Sequence, residues 1–276
     1  MLTLVDQNAA GLVAKRRAQS TKRSFASMRT ISALVLREMS TRYGRTPGGY
    51  IWSLLEPIAA ILFLSLGFSL VIRTPPLGTS FLLFYTTGFL PFNMYNNISN
   101  TTARAINYSK ALLKFPAVTW LDAIFARLLL NSLTNVLIMV LLIGSVYFIV
   151  DARSTVDVPL ALLAVALSIF VGFAVGTVNC VLLGLFPLWE LAWSIITRPL
   201  FIASGVLFLY RDLPEGAQQI LWFNPIMQIT GMMRAAFYST YDASYASVSY
   251  ILGVSLALLT LGLILMGRYH QDILNR

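Results

Sequence analysis

The sequence predicts an all-α polytopic membrane protein with six transmembrane helices. Three observations carry that prediction. Of the 276 residues, 57% are hydrophobic and only 11% are charged, against about a quarter charged in a soluble domain. The apolar residues fall in long blocks, each matching the ~20 residues that cross the hydrocarbon of a bilayer. When six spans are drawn with both termini in the cytoplasm, 16 of the 20 Lys and Arg residues lie inside and four lie outside, which is the positive-inside pattern.

The chain opens on a polar, basic stretch, residues 1–24, read as a cytoplasmic tail. It lacks the apolar core of a cleavable signal. Nine cations, from Lys15 to Arg45, precede the first apolar block. That placement suits anionic lipid headgroups and gives no reason to expect nucleic acid. Residues 25–49 form the next unit, an interface helix and linker. Ile31, Leu34, Val35 and Met39 recur at helical spacing opposite Arg29 and Arg37, so this helix is amphipathic and suited to a membrane surface. Gly44, Pro47, Gly48 and Gly49 end it.

The six-span domain occupies 50–276. Its spans are expected at 50–72, 80–103, 121–150, 160–185, 191–210 and 249–266. The second half of span two, Asn93 to Thr102, is rich in amides and hydroxyls and should face other helices or water. In span four, Gly172, Gly176 and Gly184 permit close helix contact. Residues 211–247 hold two short helical pieces, the second opened by Asn224 as N-cap and Pro225 at the first helical position. Neither piece crosses alone, so a re-entrant helix pair fits between spans five and six. Glu56, Asp122 and Glu190 lie near span ends, where pairing with Arg or Lys is expected.

The single cysteine, Cys180, and the single histidine, His270, leave no internal disulfide and no structural metal site to expect. There is no G-x-x-x-x-G-K-[ST] motif to cradle a nucleotide and no Ser/His/Asp set for hydrolysis. The chain reads as a non-enzyme that binds no cofactor itself.

Several stretches carry a resemblance. They are Leu36-Arg37-Glu38-Met39, Thr41-Arg42-Tyr43-Gly44, Gly49 to Pro57, Ala111 to Pro116, Arg198-Pro199-Leu200-Phe201 with Ser204-Gly205, Trp222-Phe223-Asn224-Pro225 with Arg234, and Tyr241-Asp242. In that order and spacing they resemble the permease subunit of ABC-2-type polysaccharide exporters, in the capsular polysaccharide branch. The resemblance runs from about Ser32 to the C-terminus. It implies a homodimer paired with two copies of a P-loop ATPase subunit, which would carry the ATP and Mg. It implies a Gram-negative inner membrane with both termini cytoplasmic, and a lipid-linked polysaccharide as cargo. A periplasmic adaptor and an outer-membrane channel would receive that cargo. Residues 106–118 would be the coupling helix, with Lys110, Leu113, Lys114, Phe115 and Pro116 meeting the ATPase alongside Arg37 and Glu38 of the interface helix. O-antigen, teichoic acid or a lipophilic small molecule is the alternative cargo. A membrane transferase or an ATP-independent carrier is the alternative class.

A glycan path calls for aromatic platforms and polar side chains in place of an ion-binding cage. Tyr85, Phe89, Phe92, Tyr95 and Asn96 on span two are candidates, as are Trp189, Trp193, Phe201 and Tyr210 near span five. Each aromatic has an alternative role in interfacial anchoring or packing. Arg42 and Arg45 could hold a lipid phosphate where the interface helix meets span one, or serve only as positive-inside anchors.

Overall fold

The computed structural model describes residues 26–43, 49–113, 118–150 and 155–275. Among these the regular elements are helical: α1 (Ala26–Tyr43), α2 (Gly49–Val71), α3 (Phe81–Ala103), α4 (Ala105–Leu113), α5 (Trp120–Val150), α6 (Val158–Leu185), α7 (Trp189–Ala203), α8 (Glu215–Leu221), α9 (Pro225–Phe237) and α10 (Val248–Asn275). The expected tail at 1–24 lies outside the described residues, as do Arg45, Lys114, Phe115 and Pro116.

Among the described residues four helices are long and apolar enough to cross a membrane: α2 over Ile51–Val71, α5, α6 and α10. The other two expected spans depart from that pattern for different reasons. Helix α3 has the length, at 23 residues, but half of it is amide and hydroxyl. Helix α7 ends after 15 residues, seven short of the expected Tyr210. There Ser204 Oγ donates to the Leu200 carbonyl at 2.6 Å. Gly205 then turns the chain at φ +70°, a conformation open to glycine because it has no Cβ. In the other direction, α10 runs nine residues past the expected end at Met266.

Helix α3 is the centre of the bundle, packed by α6, α5, α9 and α2. Phe84, Tyr85 and Ile98 on it are fully buried. In the polar half Ile98, Ser99 and Thr102 are buried against neighbouring helices, while Asn93, Asn96, Asn97, Asn100 and Thr101 are half-buried. Asn97 bonds across to Asn135 of α5.

Apolar surface gains little by leaving one hydrocarbon for another, so helices in lipid associate through close packing. The seam between α3 and α6 is built that way. A Cβ on Gly176 would stand 2.7 Å from the Ser99 carbonyl, and one on Gly172 2.9 Å from the Tyr95 carbonyl. Hydroxyls here turn back on their own helices: Thr87 donates to Leu83 and Ser168 to Ala164, as does Thr177, on the α10 side of α6, to Phe173. Helix α10 lies along the other side of α6, with Gly184 under Ile273 and Gly262 against Thr177.

Helix α1 packs on α5. Leu34 is buried there, while Met28 and Leu36 stay exposed. At the start of α5, Asp122 does not pair with a cation as expected. Its carboxylate accepts from the Thr119 amide and hydroxyl, and Thr119 Oγ1 accepts from the Asp122 amide. This reciprocal cap satisfies donors that a helix start leaves open.

After α7 the chain forms a short 3-10 turn at Tyr210–Asp212, then α8 and α9. Asn224 caps α9, accepting from the Ile226 amide. Its own amide donates to the Ala203 carbonyl at 3.0 Å, tying the start of α9 to the end of α7. Gln228, fully buried, donates to the Trp222 carbonyl and accepts from the Ser247 amide.

Candidate functional site

The polar half of α3 is flanked by two cavities. One, of about 820 Å³, opens between α3, the end of α6 and α7. Its walls include Phe92, Asn96, Asn100 and Arg104 from the α3 side, and Glu190, Trp193, Ser194, Thr197, Arg198 and Phe201 from α7. Helix spacing explains the α7 set, because Glu190, Trp193, Ser194, Thr197, Arg198 and Phe201 recur at three and four residues along one face. Phe201 meets Phe92 edge-on at 5.2 Å and Phe89 at 6.3 Å. Trp193 stacks with Trp189 at 6.3 Å. Trp189 is itself fixed by donating to Asn179 Oδ1 at 2.9 Å. The Trp193 Nε1 is buried and has no hydrogen-bond partner among the described residues, so its N–H is an unused donor beside the cavity.

The second cavity, of about 620 Å³, lies on the other flank, between α1, α3, α4 and α5. Arg37, Glu38, Asn97, Thr101, Tyr108 and Arg127 are among its walls. Asn100 and Arg104 line both cavities. Arg104 donates to Glu190 at 2.8 Å, with both side chains about half exposed, so solvent leaves this pair little energetic weight. The Glu38–Arg127 pair differs. It closes at 2.9 Å with side chains 12% and 9% exposed.

Of the path residues expected from the sequence, Phe92, Asn96, Trp193 and Phe201 come together in the first cavity. Phe89 and Trp189 stand behind them. Tyr85 and Tyr95 are buried among the bundle helices. Tyr210 stacks on Tyr245 at 4.0 Å, away from the cavity. Arg37, Glu38, Lys110 and Leu113 lie on α1 and α4, and Arg42 on the last turn of α1. Sequence reasoning did not select Asn100, Arg104 or Arg198 for the path. The three- and four-residue spacing of α7 was the signal that could have found Arg198.

Arg234 of α9 is 1% exposed. Its guanidinium donates to the carbonyls of Phe208 and Val206 at 2.9 and 3.0 Å and sits 4.2 Å above the Phe84 ring.

The profile of ABC-2 type transporters matches residues 29–238. The chain belongs to the ABC-2 type transporter family. Its similarity extends to relatives named for export. It is 32% identical over 251 residues to the capsule polysaccharide export inner-membrane protein BexB of Haemophilus influenzae, covering 89% of this chain and 92% of that protein. It is 29% identical over 246 residues to the polysialic acid transport protein KpsM of Escherichia coli, covering 89% and 95%. It is 30% identical over 245 residues to the capsule polysaccharide export inner-membrane protein CtrC of Neisseria meningitidis serogroup A, covering 89% and 92%. As an ABC-2 protein with four apolar spans, the chain is a multi-pass transporter membrane subunit.

Proposed function

We propose that this chain is the permease subunit of an ATP-driven exporter that moves lipid-linked capsular polysaccharide across the inner membrane. The observation that carries the reading is the cavity between α3 and α7. Aromatic faces from Phe92, Trp193 and Phe201 suit the C–H faces of sugar rings, and Asn96, Asn100, Ser194 and Thr197 suit their hydroxyls. The printed functions of the relatives point the same way.

In this reading α3 and α7 complete the six spans, both termini are cytoplasmic, and α8 and α9 form the re-entrant pair. Glu190, Ser194 and Arg198 are exposed on a single copy, and lipid is a costly neighbour for such a face. A second copy of the chain enclosing a hydrated path between the two relieves that cost. Two ATPase subunits dock on α1 and on the coupling segment 106–118, and their closure on ATP rocks the bundles. Arg42 and Arg45 hold the lipid phosphate at the cytoplasmic mouth. An adaptor and an outer-membrane channel take the polymer onward. This chain makes and breaks no bond.

The test is a deletion strain in which the polymer is located by fractionation. Polymer trapped in the cytoplasm, returned to the surface by wild type but not by an inserted Lys110→Glu/Lys114→Glu variant, supports the reading. Normal surface polysaccharide in the deletion strain, with no second exporter present, overturns it and turns attention to the alternative cargoes.

A further inference from the structure

Arg127 stands in the second turn of α5, inside the protein, where α1 and α4 meet that helix. Helix α1 packs on α5, and so does α4. Arg127 contacts both. Its guanidinium holds Glu38 of α1 at 2.9 Å and lies 4.3 Å from the ring centroid of Tyr108 on α4. A planar guanidinium suits this double duty, because its edge can pair with a carboxylate while its face stacks on a ring, whereas an ammonium does not stack. Tyr108 keeps 60% of its surface open, so the contact fixes the ring without burying it.

Further along α5, Asn131 and Asn135 donate to the backbone carbonyls of Arg127 and Asn131, bonds that stay within that helix. One bond then crosses between helices: Asn97 of α3 donates to Asn135 Oδ1. Asn97 lines the second cavity, and its neighbours Asn96 and Asn100 line the first. Asn100 donates to Asn96 at 3.0 Å. The crossing bond therefore ends on the half-helix that separates the two cavities.

We propose that Arg127 is a positioning residue that makes α1 and α4 move as one body with α5, and that the Asn135–Asn97 bond passes this movement to the amide half of α3. The proposal rests on the reading that an ATPase docks on α1 and α4. The coupling lies in geometry, since Arg127 touches neither nucleotide nor cargo. A chain of contacts is not by itself a coupling, so the test must separate movement from stability.

The test uses the full chain with its ATPase subunit and Cys180→Ala as background. Spin labels are attached at Leu36→Cys on α1 and Asn107→Cys on α4, both exposed positions. In the parent the interlabel distance should be narrow and the same with and without ATP. In Arg127→Gln it should broaden or split, while co-purification and ATP hydrolysis persist and export falls about tenfold, the scale of an ordinary coupling energy. The exchange Glu38→Arg with Arg127→Glu should narrow the distance again and restore part of the export.

A distance that stays narrow in Arg127→Gln overturns the proposal. So does a parallel fall of assembly, hydrolysis and export, which would make Arg127 a fold-holding residue only. The nucleotide-free arm stands apart from the functional reading. If the wild-type chain binds no ATPase, that reading fails, and the label distance in Arg127→Gln still decides whether Arg127 joins α1 to α4.

Discussion

Asn97 on α3 donates its side-chain amide to the carboxamide oxygen of Asn135 on α5 at 3.1 Å. Asn135 is buried and Asn97 half-buried at the wall of the second cavity, and the bond ties the polar half of the central helix to its neighbour. Replacing either residue with Leu should lower stability by about 1 kcal/mol, the scale of an interhelical side-chain bond in a membrane protein. The double Leu variant should lose less than the two single losses added together, because it leaves no orphaned amide. Thermal unfolding of the purified chain in one detergent checks this.

Arg234 should be among the least replaceable residues outside the spans. Arg234→Met abandons the carbonyls of Val206 and Phe208 together, at a cost of about 2–3 kcal/mol. Gly88→Ala reaches the same place from α3, since its Cβ would stand 2.7 Å from Arg234 Nη2 and 3.1 Å from the Val206 carbonyl. Both variants should lower the melting temperature, and protease cleavage between Ser204 and Leu209 should rise in parallel.

The α3–α6 seam gives a prediction with its own control. Gly176→Ala must push α3 away from backbone, since Ser99 O and Thr102 Cβ each lie 2.7 Å from the new methyl. Overpacking of this kind costs about 1–3 kcal/mol. Gly144→Ala on α5 and Gly253→Ala on α10 meet nothing within 4 Å and should leave the melting temperature unchanged or slightly higher.

The aromatic residues should separate by role. Phe201→Ala and Trp193→Ala line the first cavity and should reduce polymer export about two- to tenfold, matching the loss of an aromatic contact, while insertion is kept. Tyr85→Ala empties a fully buried site and should instead reduce the amount of folded protein. Surface polymer normalised to membrane-inserted chain distinguishes the two results.

Much of this architecture was legible because apolar runs and helix-breaking residues are local signals. The amide half of α3 was also informative, since Asn93 to Thr102 have no place against lipid and the structure sets Asn96, Asn97, Asn100 and Thr101 against two cavities. The end of α7 was harder to see. Ser204-Gly205 could have been read as a stop, but an apolar run continues to Leu209 and masks it. Arg127 and Arg234 were the least legible. By sequence they count as flanking cations, one inside and one outside. Their burial is decided by Glu38, Tyr108, Phe84 and two backbone carbonyls, all distant in the chain, and no local pattern announces those partners. The cavity was half legible for the same reason: residue type marked Phe92, Asn96, Trp193 and Phe201, while the facing of Tyr85 and Tyr95 depends on which helices surround α3.

The back-bonded hydroxyls of the α3–α6 seam have a mechanical meaning. Thr87 and Ser168 spend their protons on their own helices, and the buried hydroxyls of Ser99 and Thr102 have no hydrogen-bond partner among the described residues. Resistance to sliding along the seam therefore comes from the corrugation of packed methyls and glycines, with no cross-helix hydroxyl bond to break. On its α5 side, α3 is pinned by an amide bond. The central helix is thus bolted on one flank and only keyed on the other: shape alone holds it to α6, and a hydrogen bond adds to shape on the α5 side.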